Sequence, residues 1–141
     1  MVPSVVIDTN VLIAGLRSPH GASYQVLRLV GSGAFSFSLS VPLVLEYEAV
    51  AKEHARELGL TYEDVDDVID YLCSEAELRR VFYLWRPILR DPRDDMVLEL
   101  AVEAGADSIV THNVRDFAEA EQFGLAVLRP GALLRQVGIE L

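Results

Sequence analysis

Hydrophobic residues in this chain follow two spacings, and the switches between them mark an alternation of strands and helices. Ser4-Val5-Val6-Ile7 is a short β-branched run ending at Asp8-Thr9-Asn10. It predicts a buried strand that leads into a polar turn, with Asp8 at the strand's carboxyl end. Tyr24, Val26, Leu27 and Val30 then recur at helical spacing until Gly31-Ser32-Gly33 stops them, so a helix from about Gly21 follows the first strand. Phe35 to Leu39 alternates strictly and predicts a second strand, after which Ser40-Val41-Pro42 opens a helix through about Leu58.

The segment from Thr61 to Ala76 is amphipathic, with Val65, Val68, Ile69 and Leu72 on one side and acids on the other. Val81-Phe82-Tyr83-Leu84-Trp85 reads as a further, central strand. Asp91-Pro92 starts a helix carrying Val97, Leu98 and Ala101 that ends near Gly105. Ser108-Ile109-Val110 is another β-branched strand, and a short helix over 114–121 and a strand over 125–128 complete the alternation. Apolar strands alternating with helices predict an α/β protein in which a mainly parallel central sheet is flanked by helices on both faces. With no linker, repeat or low-complexity tract, residues 1–141 read as one domain.

Composition narrows the function classes. No apolar stretch approaches the ~20 residues that span a bilayer, which argues against a membrane protein. The single cysteine, Cys73, rules out an intrachain disulfide and reads as a small buried helix residue. With no leader-like segment, this points to a cytoplasmic protein. A net charge of −10 weighs against a nucleic-acid substrate until its distribution is considered. Residues 53–77 hold nine acids and one base, so most of the excess is confined there. Elsewhere, arginines at 79, 80, 86, 90, 93, 115, 129 and 135 leave room for a locally basic groove.

Ligands of open α/β sheets bind beyond the carboxyl ends of the strands, which directs attention to four acids. Asp8 ends the first strand, and Asp116 follows the Ser108–Val110 strand. Asp94 lies at a helix start, and Glu46 one turn inside the helix after the second strand. Each has a plain structural alternative. Asp8 can begin a turn, and Asp91-Pro92-Arg93-Asp94 and Asn113-Val114-Arg115-Asp116 both have capping spacing. Glu46 is harder to explain this way, because Leu43, Ala49 and Val50 place it toward the apolar side of its helix, where an uncompensated carboxylate is costly. Together the four describe an oxygen-rich site for a hard cation, suited to phosphoryl transfer. Helix phase favours Asp94 over Asp95, since Asp94 heads the row Val97, Leu98 and Ala101 while Asp95 falls on the helix shoulder.

The motifs Asp8-Thr9-Asn10-Val11-Leu12-Ile13, Val41-Pro42 with Glu46, Asp91-Pro92-Arg93-Asp94-Asp95 through Ala101, and Ile109-Val110-Thr111-His112-Asn113 with Asp116-Phe117 resemble, in order and spacing, those of the PIN-domain family. The resemblance spans nearly the whole chain and is nearest to the VapC-type toxins of toxin–antitoxin systems. It implies a PIN-like α/β/α sandwich and a metal-dependent endoribonuclease that hydrolyses RNA by a metal-activated water. It implies Mg²⁺ or Mn²⁺ at Asp8, Glu46, Asp94 and Asp116, with Asn10, Thr111 and Asn113 as supporting polar groups. It also implies a homodimer and an antitoxin partner. Many relatives have an acid where this chain has Asn113, which places the fourth ligand on Asp116.

Two other functions compete. A non-catalytic interaction module would keep the acids only as caps. A phosphatase-type hydrolase would use Asp8 as nucleophile, but its general acid two residues on is Asn10 here, which cannot serve. The three histidines show no zinc spacing, and His112 reads as a solvent-facing loop residue. Phe35, Phe37, Phe82 and Trp85 read as core rather than base-stacking platforms.

Overall fold

Among the described residues five strands, β1 (Ser4–Ile7), β2 (Ser36–Leu39), β3 (Glu77–Leu78), β4 (Ser108–Val110) and β5 (Ala126–Leu128), form one sheet in the order β3-β2-β1-β4-β5. The structure is a computed structural model described over residues 2–81, 89 and 91–139. Every neighbouring pair is parallel. Parallel strands need crossovers, and the helices supply them. These are α1 (Thr9–Arg17), α2 (Ala22–Arg28), α3 (Val41–Glu53), α4 (Ala55–Leu58), α5 (Tyr62–Glu75), α6 (Pro92–Glu103) and α7 (Pro130–Gln136), with a 3-10 segment over Val114–Phe123.

β1 and β4 sit at the centre of the sheet, and their residues are buried almost throughout. The chain builds outward from β1 to β2 and β3 on one side, then returns to lay β4 and β5 on the other. The connections diverge beyond the carboxyl ends of β1 and β4, which is where a doubly wound sheet opens a crevice. Asp8 and Thr111 are the first residues past those ends.

The elements differ from the sequence expectation in several places. The strand beside β2 at the edge of the described sheet is the two-residue β3, and of the strand expected over 81–85, Phe82 to Trp85 lie outside the described residues. The chain also enters a helix at once after β1, where a polar turn was expected. Asp8 serves as N-cap, its side chain accepting from the Thr9 N–H, while Val11, Leu12 and Gly15 turn inward. α7 was likewise not anticipated. The long helix expected after Ser40 is broken at His54 into α3 and α4. Phe35 and Phe37 are buried as expected and meet edge to face, centroids 6.5 Å apart.

Two contacts fix the helices nearest the crevice. Tyr47 of α3, fully enclosed, donates its hydroxyl to the carbonyl of Ile7, the last residue of β1. Gly15 lets α1 press against α2, for a Cβ there would lie 2.5 Å from Leu27 Cδ1 and 3.1 Å from the Ser23 carbonyl oxygen. Gly15→Val should therefore lower stability by about 1–3 kcal/mol, because the overpacking outweighs any gain in helix propensity. Urea unfolding midpoints check this, and an unchanged midpoint would show that α1 and α2 have slack.

Candidate active site

The carboxyl edge of the sheet opens into a cleft of about 490 Å³. Among its lining residues are Asp8, Glu46, Asp94 and Asp116, carried by the end of β1, α3, the first turn of α6 and the 3-10 segment. All four acids singled out in the sequence thus open onto one space. Asn10 and Asn113 also line it, while Thr111 lies fully buried behind them.

Thr111 organises the floor. Its Oγ1 accepts from Asn10 Nδ2 (3.3 Å) and from the Asn113 N–H (3.0 Å), so its own proton is directed to Asp8 Oδ2 at 2.7 Å. The other Asp8 oxygen accepts from the Thr9 N–H at 2.9 Å. Thr9, absent from the sequence-based set, then donates its hydroxyl to Glu46 Oε2 at 2.5 Å and so joins two of the acids. Asp-Thr at a strand end was the available signal, but only the placement of α3 shows which carboxylate the hydroxyl reaches. Asn10 completes the bracket by accepting from the His112 N–H at 3.1 Å, so both ends of its amide are engaged.

His112 departs from expectation. It is half-buried rather than solvent-facing, lines the cleft, and its Nε2 lies 2.7 Å from the hydroxyl of buried Ser23 on α2. Burial, with the Arg129 guanidinium second, lowers its pKa. Arg129 also donates to the His112 carbonyl at 2.9 Å, which ties the loop after β4 to the start of α7.

The two adjacent aspartates of α6 separate clearly. Asp91 is the helix cap and accepts from the Arg93 N–H at 2.9 Å. Asp94, half-buried, opens onto the cleft. Asp95 is not on a helix shoulder: it is 2% exposed and accepts from the Leu89 N–H at 2.8 Å. Glu99, one turn further on, is also buried, so α6 is enclosed on more sides than its apolar stripe suggested.

Gathering these acids has an electrostatic cost. Burial raises the pKa of Asp8, against the Thr111 hydroxyl and Thr9 N–H that favour its charged form, with Glu46 and Asp116 adding repulsion. Asp94 is pushed up to about 7, by burial first and then by Asp8, Asp91 and Asp116. A cation in the cleft would relieve both. Among the described residues no three Asp, Glu, His or Cys side chains already stand close enough to form a metal cage. The donor set nevertheless fits a hard divalent ion, because Mg²⁺ keeps several waters and takes only one or two carboxylates directly.

A PIN-domain profile matches residues 4–115, more than half of the chain. The chain belongs to the PIN-domain family. The match stops one residue before Asp116, so the fourth acid of this PIN domain rests on the cleft geometry. VapC-like PIN proteins are nucleases. No curated protein matches the sequence. Solved PIN structures share the fold. VapBC2 from Rickettsia felis bound to a promoter DNA fragment has a chain 15% identical, with TM-score 0.63 over 89% of this chain and 98% of that one. VapBC-1 from nontypeable Haemophilus influenzae gives 18% identity and TM-score 0.59 over 90% and 98%. FitAB bound to a DNA fragment gives 15% and 0.63 over 89% and 94%.

The Asp94 shift sets a pH dependence. Its carboxyl is harder to ionise in the folded protein than at its ordinary value of 3.8, so the stability it provides is complete below pH ~4 and is lost as pH rises through about 7. In chelator, Asp94→Asn should raise the melting temperature more at pH 8 than at pH 5, because the amide cannot acquire the repelled charge. An equal effect of Asp94→Asn at both pH values would mean that Asp94 ionises normally.

Proposed function

We propose that this PIN-domain protein is an endoribonuclease that hydrolyses phosphodiester bonds with Mg²⁺ or Mn²⁺, and that it is the toxin of a toxin–antitoxin pair. The observation that carries this reading is the convergence of Asp8, Glu46, Asp94 and Asp116, from four separate elements, on one cleft at the sheet's carboxyl edge. These four would hold the ion, which when bound supplies an acidified water and charge neutralisation at the scissile phosphate.

The chain's own residues do the positioning. Thr111 and the Thr9 N–H favour the charged, acceptor form of Asp8, and the Thr9 hydroxyl holds Glu46 beside it. Asn10 fixes the loop after β4 to α1 through the His112 N–H. Asp94, whose pKa is raised to about 7, would be held in its charged form by a cation.

The competing functions fare worse. In an interaction module the acids would be spent on capping, as Asp91 is, but Asp94 is not the cap and bears an electrostatic cost that capping does not explain. A phosphatase-type reaction would need a proton from Asn10, whose amide is locked between Thr111 and His112. Likeness to VapBC and FitAB structures supports an antitoxin partner, while the homodimer, the cytoplasmic setting and RNA as substrate rest on the family resemblance and composition.

RNA cleavage should require Mg²⁺ or Mn²⁺ and stop in EDTA. Asp8→Asn and Asp94→Asn should each lower it by orders of magnitude, and cleavage that persists in EDTA or in Asp8→Asn overturns the reading. The acids of α5 lie outside the cleft and are exposed. The triple variant Asp64→Asn, Asp66→Asn, Asp67→Asn should therefore cut RNA at close to the wild-type rate, and a large loss in the folded variant would place α5 on the RNA path.

A further inference from the structure

The cleft continues past the carboxylates as a groove between α1 and α3. The two helices are tied near the sheet by Thr9 and Glu46. At the far end α1 is tied to α4 through Glu57, whose Oε2 lies 3.6 Å from Arg17 and 3.3 Å from Nδ1 of His54, the residue between α3 and α4. On α1 the lining residues are Thr9, Asn10, Ile13, Ala14 and Arg17, and across from them stand Glu46, Val50 and His54. Both sets recur at helical spacing, so each helix gives one face as a wall. From Thr9 to Arg17 the wall is roughly 12 Å long at 1.5 Å rise per residue.

Its chemistry changes along that length. The carboxylates occupy the sheet end, Ile13, Ala14 and Val50 form an apolar middle, and the Arg17 guanidinium and His54 ring close the far end. A nucleotide strand has the same order of features: a phosphate at the reacting centre, a base and sugar, then another phosphate. The cleft volume is in the range that takes a small ligand.

Building on the nuclease reading above, we propose that this α1–α3 groove is the subsite for a nucleotide flanking the cut in single-stranded RNA, its base on Ile13, Ala14 and Val50 and its phosphate on Arg17. Arg17 is half-exposed and its contact with Glu57 is long and solvent-screened, so an arriving phosphate exchanges with that carboxylate at little cost. The subsite makes Glu57 a competitor for Arg17, which gives the test a variant that should improve binding.

The experiment compares kcat/KM for a dinucleotide and a longer single-stranded oligonucleotide in Mn²⁺, for wild type, Arg17→Gln and Glu57→Gln, with thermal melts to confirm folding. The readout is the ratio of the two substrates within each protein. Wild type should favour the oligonucleotide, Arg17→Gln should reduce that preference about tenfold and weaken its salt dependence, and Glu57→Gln should increase it. The same ratio in all three proteins overturns the subsite and leaves the groove to another occupant. A wild type that cleaves neither substrate in Mg²⁺ or Mn²⁺ overturns the nuclease reading, and the subsite with it.

Discussion

Carboxylates brought to one cleft repel one another and lose water, and the rest of the site is arranged around that constraint. Both costs are visible in Asp94, raised to about 7 by burial first and then by Asp8, Asp91 and Asp116, and in Asp8, raised by burial despite two hydrogen bonds that oppose the shift. A protein holds such a group of acids only where the scaffold makes their separation costly. Here the scaffold is a parallel sheet whose two central strands end beside each other, so Asp8 cannot leave without disturbing β1 and β4 together.

Three polar side chains hold the acids in place. The Thr111 hydroxyl has both acceptor positions filled and can give its proton only to Asp8. Thr9 covers the other Asp8 oxygen with its backbone and holds Glu46 with its side chain, so one residue positions acids from two elements. Tyr47, next to Glu46, pins α3 to the Ile7 carbonyl just before Asp8. The spacing between Asp8 and Glu46 is thereby set twice, once through Thr9 and once through Tyr47. Such doubled bracing is what a preorganised electrostatic site requires.

The layers of the fold and the four acids were legible in the sequence because strand-end acids and alternating apolar runs are local signals. What the sequence concealed depended on packing between elements. Asp8-Thr9-Asn10 reads as a turn until α1 is seen to start on Asp8 as its cap. Asp95 reads as a shoulder residue until burial of the Glu99 side shows α6 enclosed more widely than its apolar stripe. His112 reads as a loop residue until Ser23 of α2 meets its ring. Thr9 is marked only by following a strand-end Asp and Tyr47 by nothing local, since both bridge elements far apart in sequence.

The central claim is that the four acids form a divalent cation site whose cost in the metal-free protein is repaid on binding. Calorimetric titration of Mn²⁺ into the purified protein near neutral pH, in buffers of different ionisation enthalpy, tests it most directly. The account predicts saturable binding with release of protons, because Asp94 is partly protonated before the ion arrives, and loss of that release in Asp94→Asn. Absence of saturable binding, or binding that Asp8→Asn and Asp94→Asn leave unchanged, would contradict it.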